Sequence, residues 1–249
     1  MDFRKWISES KEIDNALRRF SEIFDISTWI ASPNVEVVER VSNLWGEKSA
    51  KKELRRVGFL KKRCLPGRIE MRKEALEKKE GVVRLCPLKM LIFTVPIYYK
   101  GELVGFFEGD GAKSREFDEA YESFIEELGE KEGFRTDIVK ECVSAGTPKK
   151  AEDLLGIAGI MTNMVELYLE SRNRLEIFSS TISEVSNNIR RVAKNLQVLG
   201  INISIESARL GESGAGINVI SQEIKKVGDF VFEQMNLVNT HLKAAKGET

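Results

Sequence analysis

Residues 202–216 read Asn202-Ile203-Ser204-Ile205-Glu206-Ser207-Ala208-Arg209-Leu210-Gly211-Glu212-Ser213-Gly214-Ala215-Gly216, and this stretch decides the fold. It joins two apolar tracts. Upstream, Leu175, Phe178, Ile182, Val185, Ile189, Val192, Leu196, Leu199 and Ile203 alternate spacings of three and four without a break. Downstream, Ile217, Ile220, Ile224, Val227 and Val231 do the same. An apolar repeat of about 3.5 residues marks helices that supercoil together. The Gly- and Ser-rich segment between the tracts is where the chain turns back. Residues 175–249 are therefore predicted to form an antiparallel coiled-coil helical hairpin with a polar tip, which becomes a four-helix bundle in a homodimer.

Working upstream, residues 1–150 read as an α+β domain. Trp6, Ile13, Leu17, Phe20 and Phe24 fall near one face of a helix spanning Phe3 to Phe24. Ile26 to Ile30 and Val35 to Val41 are β-branched pieces around a Ser32-Pro33-Asn34 turn, a predicted hairpin. Helices are predicted over Ser49–Arg63 and Arg68–Lys79, the second ended by Gly81. A strand begins at Val82. The clearest β pair is Leu91–Tyr99 with Glu102–Glu108 across a tight Lys100-Gly101 turn, where Gly accommodates a positive φ. Ser114 is the expected N-cap of a helix running to Gly129. Thr147-Pro148 reads as a helix start, and no strong break follows before Leu210. Residues 151–174 are then a connecting helix that continues into the ascending arm. A continuous helix passes a shift or rotation onward; a floppy linker does not.

Composition narrows the function classes. Lys plus Arg and Asp plus Glu both number 39, a formal net charge of zero, which gives no generic pull toward nucleic acid or anionic membrane. No apolar run approaches the roughly 20 residues of a bilayer span. Met1-Asp2-Phe3-Arg4-Lys5 has no signal-peptide character, so a cytoplasmic location is expected. No strand precedes the glycines of 211–216, so they are not a phosphate loop. A single histidine, His241, builds no nucleophile–His–acid triad. The chain does not read as an enzyme.

The tip resembles the signalling tip of methyl-accepting chemotaxis proteins, whose pattern runs N-A-A-I-E-A-A-R-A-G-E-x-G-x-G-F-x-V-V-x-x-E-V-R-K-L. Asn202, Ile205, Glu206, Ala208, Arg209, Gly211, Glu212, Gly214, Gly216, Val219, Ile220, Glu223, Ile224, Lys225, Lys226 and Val227 match it in register. Ile217 replaces the family's Phe, and Ile203, Ser204 and Ser207 replace Ala. The resemblance implies a homodimer and trimers of dimers, with trimer contacts at Asn202, Glu206 and Arg209. It also implies contact with the chemotaxis histidine kinase CheA and its coupling adaptor CheW, around Gly216, Ile217, Val219, Ile220 and Glu223. Family receptors carry methylation sites on a long bundle. The stretch from Ile217 to Thr249 extends only about 50 Å as a helix, so adaptation by methylation is not expected.

Arg63 to Gly111 resembles the PocR-type sensory domain, a PAS-related fold. Its pattern is a Cys, a helix, Cys-His-x-Gly-Leu, a Pro-Ile strand, a Gly turn and a closing strand. Cys64, Cys86, Pro96-Ile97, Gly101, Gly105 and Gly109 match; Pro87, Lys89 and Asp110 depart at polar positions. The resemblance implies a small organic ligand. Trp29, Cys64, Cys86, Phe93, Val95, Phe106 and Glu108 are the candidate lining of its pocket, an apolar space with a few polar groups.

The thiols leave two alternatives open. Cys64 and Cys86, with Cys142, are candidate ligands for a metal or an iron–sulfur cluster, although a closed zinc site needs a fourth ligand. The alternative is buried inert thiols. The function expected first is a one-component sensor of a small organic ligand. The others are a metal or redox sensor with the same output and a non-sensing scaffold that joins larger receptors.

Overall fold

The computed structural model describes residues 3–47, 49–113, 119–144 and 148–246; the expected caps Ser114 and Thr147 lie outside them. The fold is α+β, an antiparallel sheet with helices followed by an antiparallel helical hairpin. It divides into two compact units, Met1–Glu170 and Ser171–Thr249.

In the first unit, α1 (Phe3–Glu9) and α2 (Lys11–Phe24) replace the single helix expected from the periodicity. Ser10 causes the break: its hydroxyl accepts from the Ile13 amide at 3.1 Å and caps α2. Strand β1 (Ser27–Ala31) follows. The hairpin partner expected at Val35–Val41 does not form. That segment pairs with β1 through the isolated bridge Ala31–Arg40 and the Val41 amide's bond to the Ile30 carbonyl at 2.8 Å, without becoming a strand, because the Asn34 side chain accepts from the amides of Glu36 and Val37 and bends the chain locally. Helix α3 (Ser49–Arg56) stops before Gly58, whose φ of 74° ends it. One π-helical turn (Leu60–Cys64) leads into α4 (Leu65–Lys78).

Strands β2 (Val82–Leu85), β3 (Leu91–Tyr99) and β4 (Glu102–Ala112) complete a sheet of order β1-β4-β3-β2. Lys100 and Gly101 both take positive φ in the β3–β4 turn, the twist that suits a two-residue hairpin. Strand β4 runs four residues past the expected Glu108 because β1 pairs with its second half, Ser27 opposite Asp110 and Ala31 opposite Phe106.

Both faces of the sheet are covered. Phe93, Val95, Ile97 and Phe107 face a core built with Leu17 and Phe20 of α2. The same core receives Leu154, Ala158, Met161, Val165 and Leu169 from the start of α7 (Ala151–Arg209). That helix begins three residues after Pro148, so the proline precedes the helix rather than opening it. On the other face, Met71 and Ala75 of α4 meet Val82 and Ile92. A further cluster joins α3 to α5 (Glu119–Glu132) and α6 (Thr136–Ser144), the last of which had no expected counterpart.

Glu53 ties α3 to the start of α6. Its carboxylate accepts from the Arg56 guanidinium at 2.7 and 2.9 Å and from the Arg135 amide at 2.9 Å. The Arg56 bonds first, then the amide, pull its pKa down to about 2. A carboxyl depressed in the folded state contributes stability that is complete above its ordinary pKa near 4.5 and is lost as pH falls toward 2. Glu53→Gln is therefore expected to lower the urea midpoint at neutral pH, with the gap to the parent closing between about pH 4.5 and pH 2. A gap that does not change with pH would show that the carboxylate charge is not the source.

In the second unit, the remainder of α7 pairs with α8 (Ala215–Lys246) through a 3₁₀ turn (Gly211–Gly214). The contacts run antiparallel: Arg190 to Asn236 at 2.7 Å, Gln197 to Asp229 at 2.5 Å and Ser204 to Ser221 at 2.5 Å. The seven-residue period is present, but the residues buried between the arms are small. Ser179, Ser186, Ala193, Gly200 and Ser207 recur every seventh position on α7, and Ser221 on α8 is buried with them. Ile182, Ile189, Leu196 and Ile203 are half-buried beside this seam. Phe178, Val185, Val192 and Leu199 remain 48–60% exposed.

Candidate ligand cavity and signalling tip

Helix α4 and strand β4 bring four charges together. Arg68 and Arg72 lie four apart on one helix face, and Glu108 and Asp110 lie two apart on one strand face. Arg72 is fully buried. Its Nε donates to Glu108 Oε1 at 2.8 Å, and its Nη1 donates to the carbonyls of Asn34 at 2.6 Å and Val37 at 3.1 Å. Arg72 thereby fastens the 34–41 segment to the sheet. Thr94, paired with Glu108 across β3 and β4, donates to the same carboxylate oxygen at 3.4 Å. Arg68 donates to Asp110 at 3.4 Å, and Lys51 from α3 reaches Asp110 at 2.9 Å. Both cations also sit on the Trp29 ring, Lys51 Nζ at 4.5 Å and Arg68 Cζ at 4.8 Å from its centroid.

This cluster borders a cavity of about 350 Å³ between α3, the π turn, α4, β4 and α6. Its walls are mostly apolar, from Leu44, Leu54, Leu60, Leu65, Leu88, Met90, Ile92 and Val139. Polar groups gather at Trp29, Lys51, Arg68 and Asp110. That volume lies at the small end of ligand sites, and an apolar body with a few convergent polar groups is their usual chemistry.

At the other end of the chain, α7 stops at Arg209 and Gly211 takes a φ of 59°, the left-handed conformation that closes a helix. Gly214 is packed so closely that a Cβ there would stand 2.1 Å from the Ser207 carbonyl oxygen, and Ser207 Oγ donates to the Gly214 carbonyl at 2.6 Å. Around this turn, Asn202, Glu212, Gly216, Ile217, Val219 and Ile220 are exposed. Arg209 pairs with Glu206 at 2.8 Å and Lys226 with Glu223 at 2.7 Å, all four side chains in solvent. Such pairs contribute only about 0–1 kcal/mol to the fold. Their exposed charge is instead available for register and partner choice.

Residues 7–172 match the family model described as the sensory domain found in PocR. The chain belongs to the PocR sensory-domain family. It is also similar to chemotaxis receptors and to proteins of other names. It is 35% identical over 85 residues to methyl-accepting chemotaxis protein McpC of Bacillus subtilis, covering 34% of this chain and 12% of that protein. It is 33% identical over 82 residues to toxin coregulated pilus biosynthesis protein I of Vibrio cholerae, covering 31% and 13%. It is 31% identical over 80 residues to biofilm dispersion protein BdlA of Pseudomonas aeruginosa, covering 28% and 19%. The matches thus span less than a fifth of each relative. Together they describe a signalling protein like the methyl-accepting chemotaxis proteins, with a PocR sensory domain. No helix among the described residues is long and apolar enough to cross a membrane.

Within the PocR domain, Trp29, Cys64 and Cys86 of the seven candidate lining residues border the cavity. Phe93 and Val95 lie on the opposite face of the sheet, in the core with α2 and α7. Strand alternation explains the difference: Thr94, not its neighbours, shares a face with Glu108. Phe106 is buried with Trp29 and lies beneath Arg72, whose Cζ is 4.8 Å from its ring centroid. Glu108 is the buried anchor of the arginines rather than a wall of the cavity. Arg68, Arg72, Lys51 and Asp110 were not anticipated; the readable signal was the i,i+4 arginine pair on α4 beside an i,i+2 acidic pair on β4.

All three cysteines border the PocR cavity. Burial, then the neighbouring Cys86, pushes the Cys64 thiol up to about 12, and burial pushes Cys86 up to about 11. Burial thus favours the neutral thiol form of both at physiological pH. Cys142 Sγ lies 3.0 Å from Ser49 Oγ. Among the described residues, no three His, Cys, Asp or Glu side chains are grouped as metal ligands.

Proposed function

We propose that this chain is a chemoreceptor-like sensor that binds a small organic molecule in its PocR domain and reports it from the hairpin tip to the histidine kinase CheA and the adaptor CheW in the cytoplasm. The observation that carries this reading is a single helix, α7. It starts against the sensory sheet with Leu154 to Leu169 and is unbroken to Arg209. The exposed stripe Phe178, Val185, Val192 and Leu199 supports a homodimer, since a second copy would bury it as a four-helix bundle. The tip's likeness to chemoreceptors supports assembly of such dimers into trimers. Ligand acts only so far as it favours one packing state of this bundle over another.

Capture of CheA and CheW by the full chain tests the reading. Ile217→Ala, Val219→Ala and Glu223→Ala are each expected to weaken capture by roughly tenfold, about 1.4 kcal/mol. The circular dichroism of the full chain is expected to stay unchanged, because these side chains are exposed. Undiminished capture by all three variants would remove the tip as the output surface.

A further inference from the structure

The polar end of the cavity has a bias that the small-molecule reading does not itself require. Among the described residues that line it, Lys51, Arg68, Arg40, Arg55 and Lys61 are basic and Asp110 alone is acidic. Asp110 is shared between Lys51 and Arg68, so the inner pair of cations is only half neutralised. Glu108 does not make up the deficit. It lies 3.7 Å from Arg68, but its Oε1 already accepts from Arg72 at 2.8 Å. Arg55 has its own partner in Glu47.

A second, independent observation lies beside these cations. Trp29 lines the cavity and is 4% exposed, and its buried indole N–H has no hydrogen-bond partner among the described residues. A buried donor left without an acceptor costs free energy that a bound acceptor recovers. A surplus of cations and an unsatisfied N–H on residues bordering one mostly apolar cavity call for a ligand whose head accepts hydrogen bonds and carries negative charge.

We infer that the cavity takes a small monocarboxylic acid, its carboxylate set among Lys51, Arg68 and the Trp29 N–H and its hydrocarbon part against the leucine-rich wall. This rests on the small-molecule reading above and narrows it to a chemical class. Charge-assisted hydrogen bonds of this kind are roughly twice as strong as neutral ones. The apolar body sets the other half of the requirement, so inorganic anions of the same charge do not satisfy the site. The cavity of about 350 Å³ limits the body to a short chain or one ring.

Isothermal titration of the full chain with matched pairs tests this: hexanoate against hexan-1-ol, benzoate against benzyl alcohol, and inorganic phosphate as the bare anion. At least one acid is expected to bind tenfold or more tightly than its alcohol, with phosphate showing no saturable heat. Trp29→Phe keeps the ring face and removes the N–H, and Lys51→Met keeps most of the stem and removes the charge. Each is expected to narrow the acid-to-alcohol ratio by about fivefold or more. Far-UV circular dichroism identifies a variant that has failed to fold, and the wild-type ratios stand without either variant. Alcohols binding as tightly as their acids would overturn the carboxylate assignment and leave the small-molecule reading intact. Phosphate competing equally would overturn the requirement for an apolar body. Absence of binding by all four organic probes would overturn the inference, and a thermal-shift screen of neutral organic compounds would then decide the broader reading.

Discussion

Gly200→Leu and Gly228→Leu are each expected to destabilise the hairpin by about 1–3 kcal/mol, the usual cost of inserting carbon atoms where there is no room. A Cβ at Gly228 would stand 3.0 Å from the Ala193 carbonyl oxygen and 3.0 Å from Gln197 Cγ; one at Gly200 would stand 3.1 Å from the Ser221 carbonyl oxygen. Backbone atoms of the opposite arm cannot turn aside as a flexible side chain can. The helices must therefore separate, and the interaxial distance is set by the side chains at the contact. Separation also breaks the bonds from Ser221 to the Gly200 carbonyl and between Ser204 and Ser221. Val192→Ala is the contrasting change: Val192 is 55% exposed, and its loss is expected to shift the midpoint only where a second copy covers it. Urea unfolding followed by circular dichroism, at two protein concentrations, separates the effects. Glycine variants as stable as the parent would mean that the arms do not meet along this seam.

Glu108→Leu is expected to cost about 3–5 kcal/mol, because it leaves the fully buried Arg72 guanidinium without its carboxylate. Arg72→Leu is expected to cost a similar amount, since it leaves the buried Glu108 to Arg68 at 3.7 Å and also releases the Asn34 and Val37 carbonyls. The pair is not an efficient source of stability. Arg72 Nη2 and Glu108 Oε2 have no hydrogen-bond partner among the described residues, and apolar replacement of a buried pair is often neutral or stabilising. The double variant is therefore expected to recover more than half of the loss seen in either single one. Urea midpoints of the four proteins form a double-mutant cycle that measures the coupling. Single variants within about 1 kcal/mol of the parent would show that the pair is solvated rather than buried.

The hairpin was legible because its signal is one-dimensional. Leu175 to Ile203 repeat at helical spacing, Gly211 can take the positive φ that stops α7, and α8 resumes the repeat at Ile217. The β3–β4 pair was legible for the same reason, with Lys100-Gly101 the only conformation-demanding step between two strand-like runs. Which side of the heptad faces the other arm was not legible. The apolar stripe stands out in the sequence, yet Ser, Ala and Gly one position away form the contact, because close approach of two backbones selects for absence of side chain. Phe93 and Val95 lie away from the cavity for a related reason. Alternation along β3 is visible, but both faces of the sheet are buried, so hydrophobicity does not say which face holds the cavity.

Local spacing by itself determined that this chain has an α+β domain, a helix running unbroken into a two-armed hairpin, and a receptor-like turn at its end, since each depends on residues within a few positions of one another. Only the tertiary structure decided the cavity and its charge. Lys51, Arg68 and Asp110 come from three elements separated by up to 59 positions, and no pattern along the chain encodes that α4 packs across β4 so that its arginines, four apart, meet acids two apart.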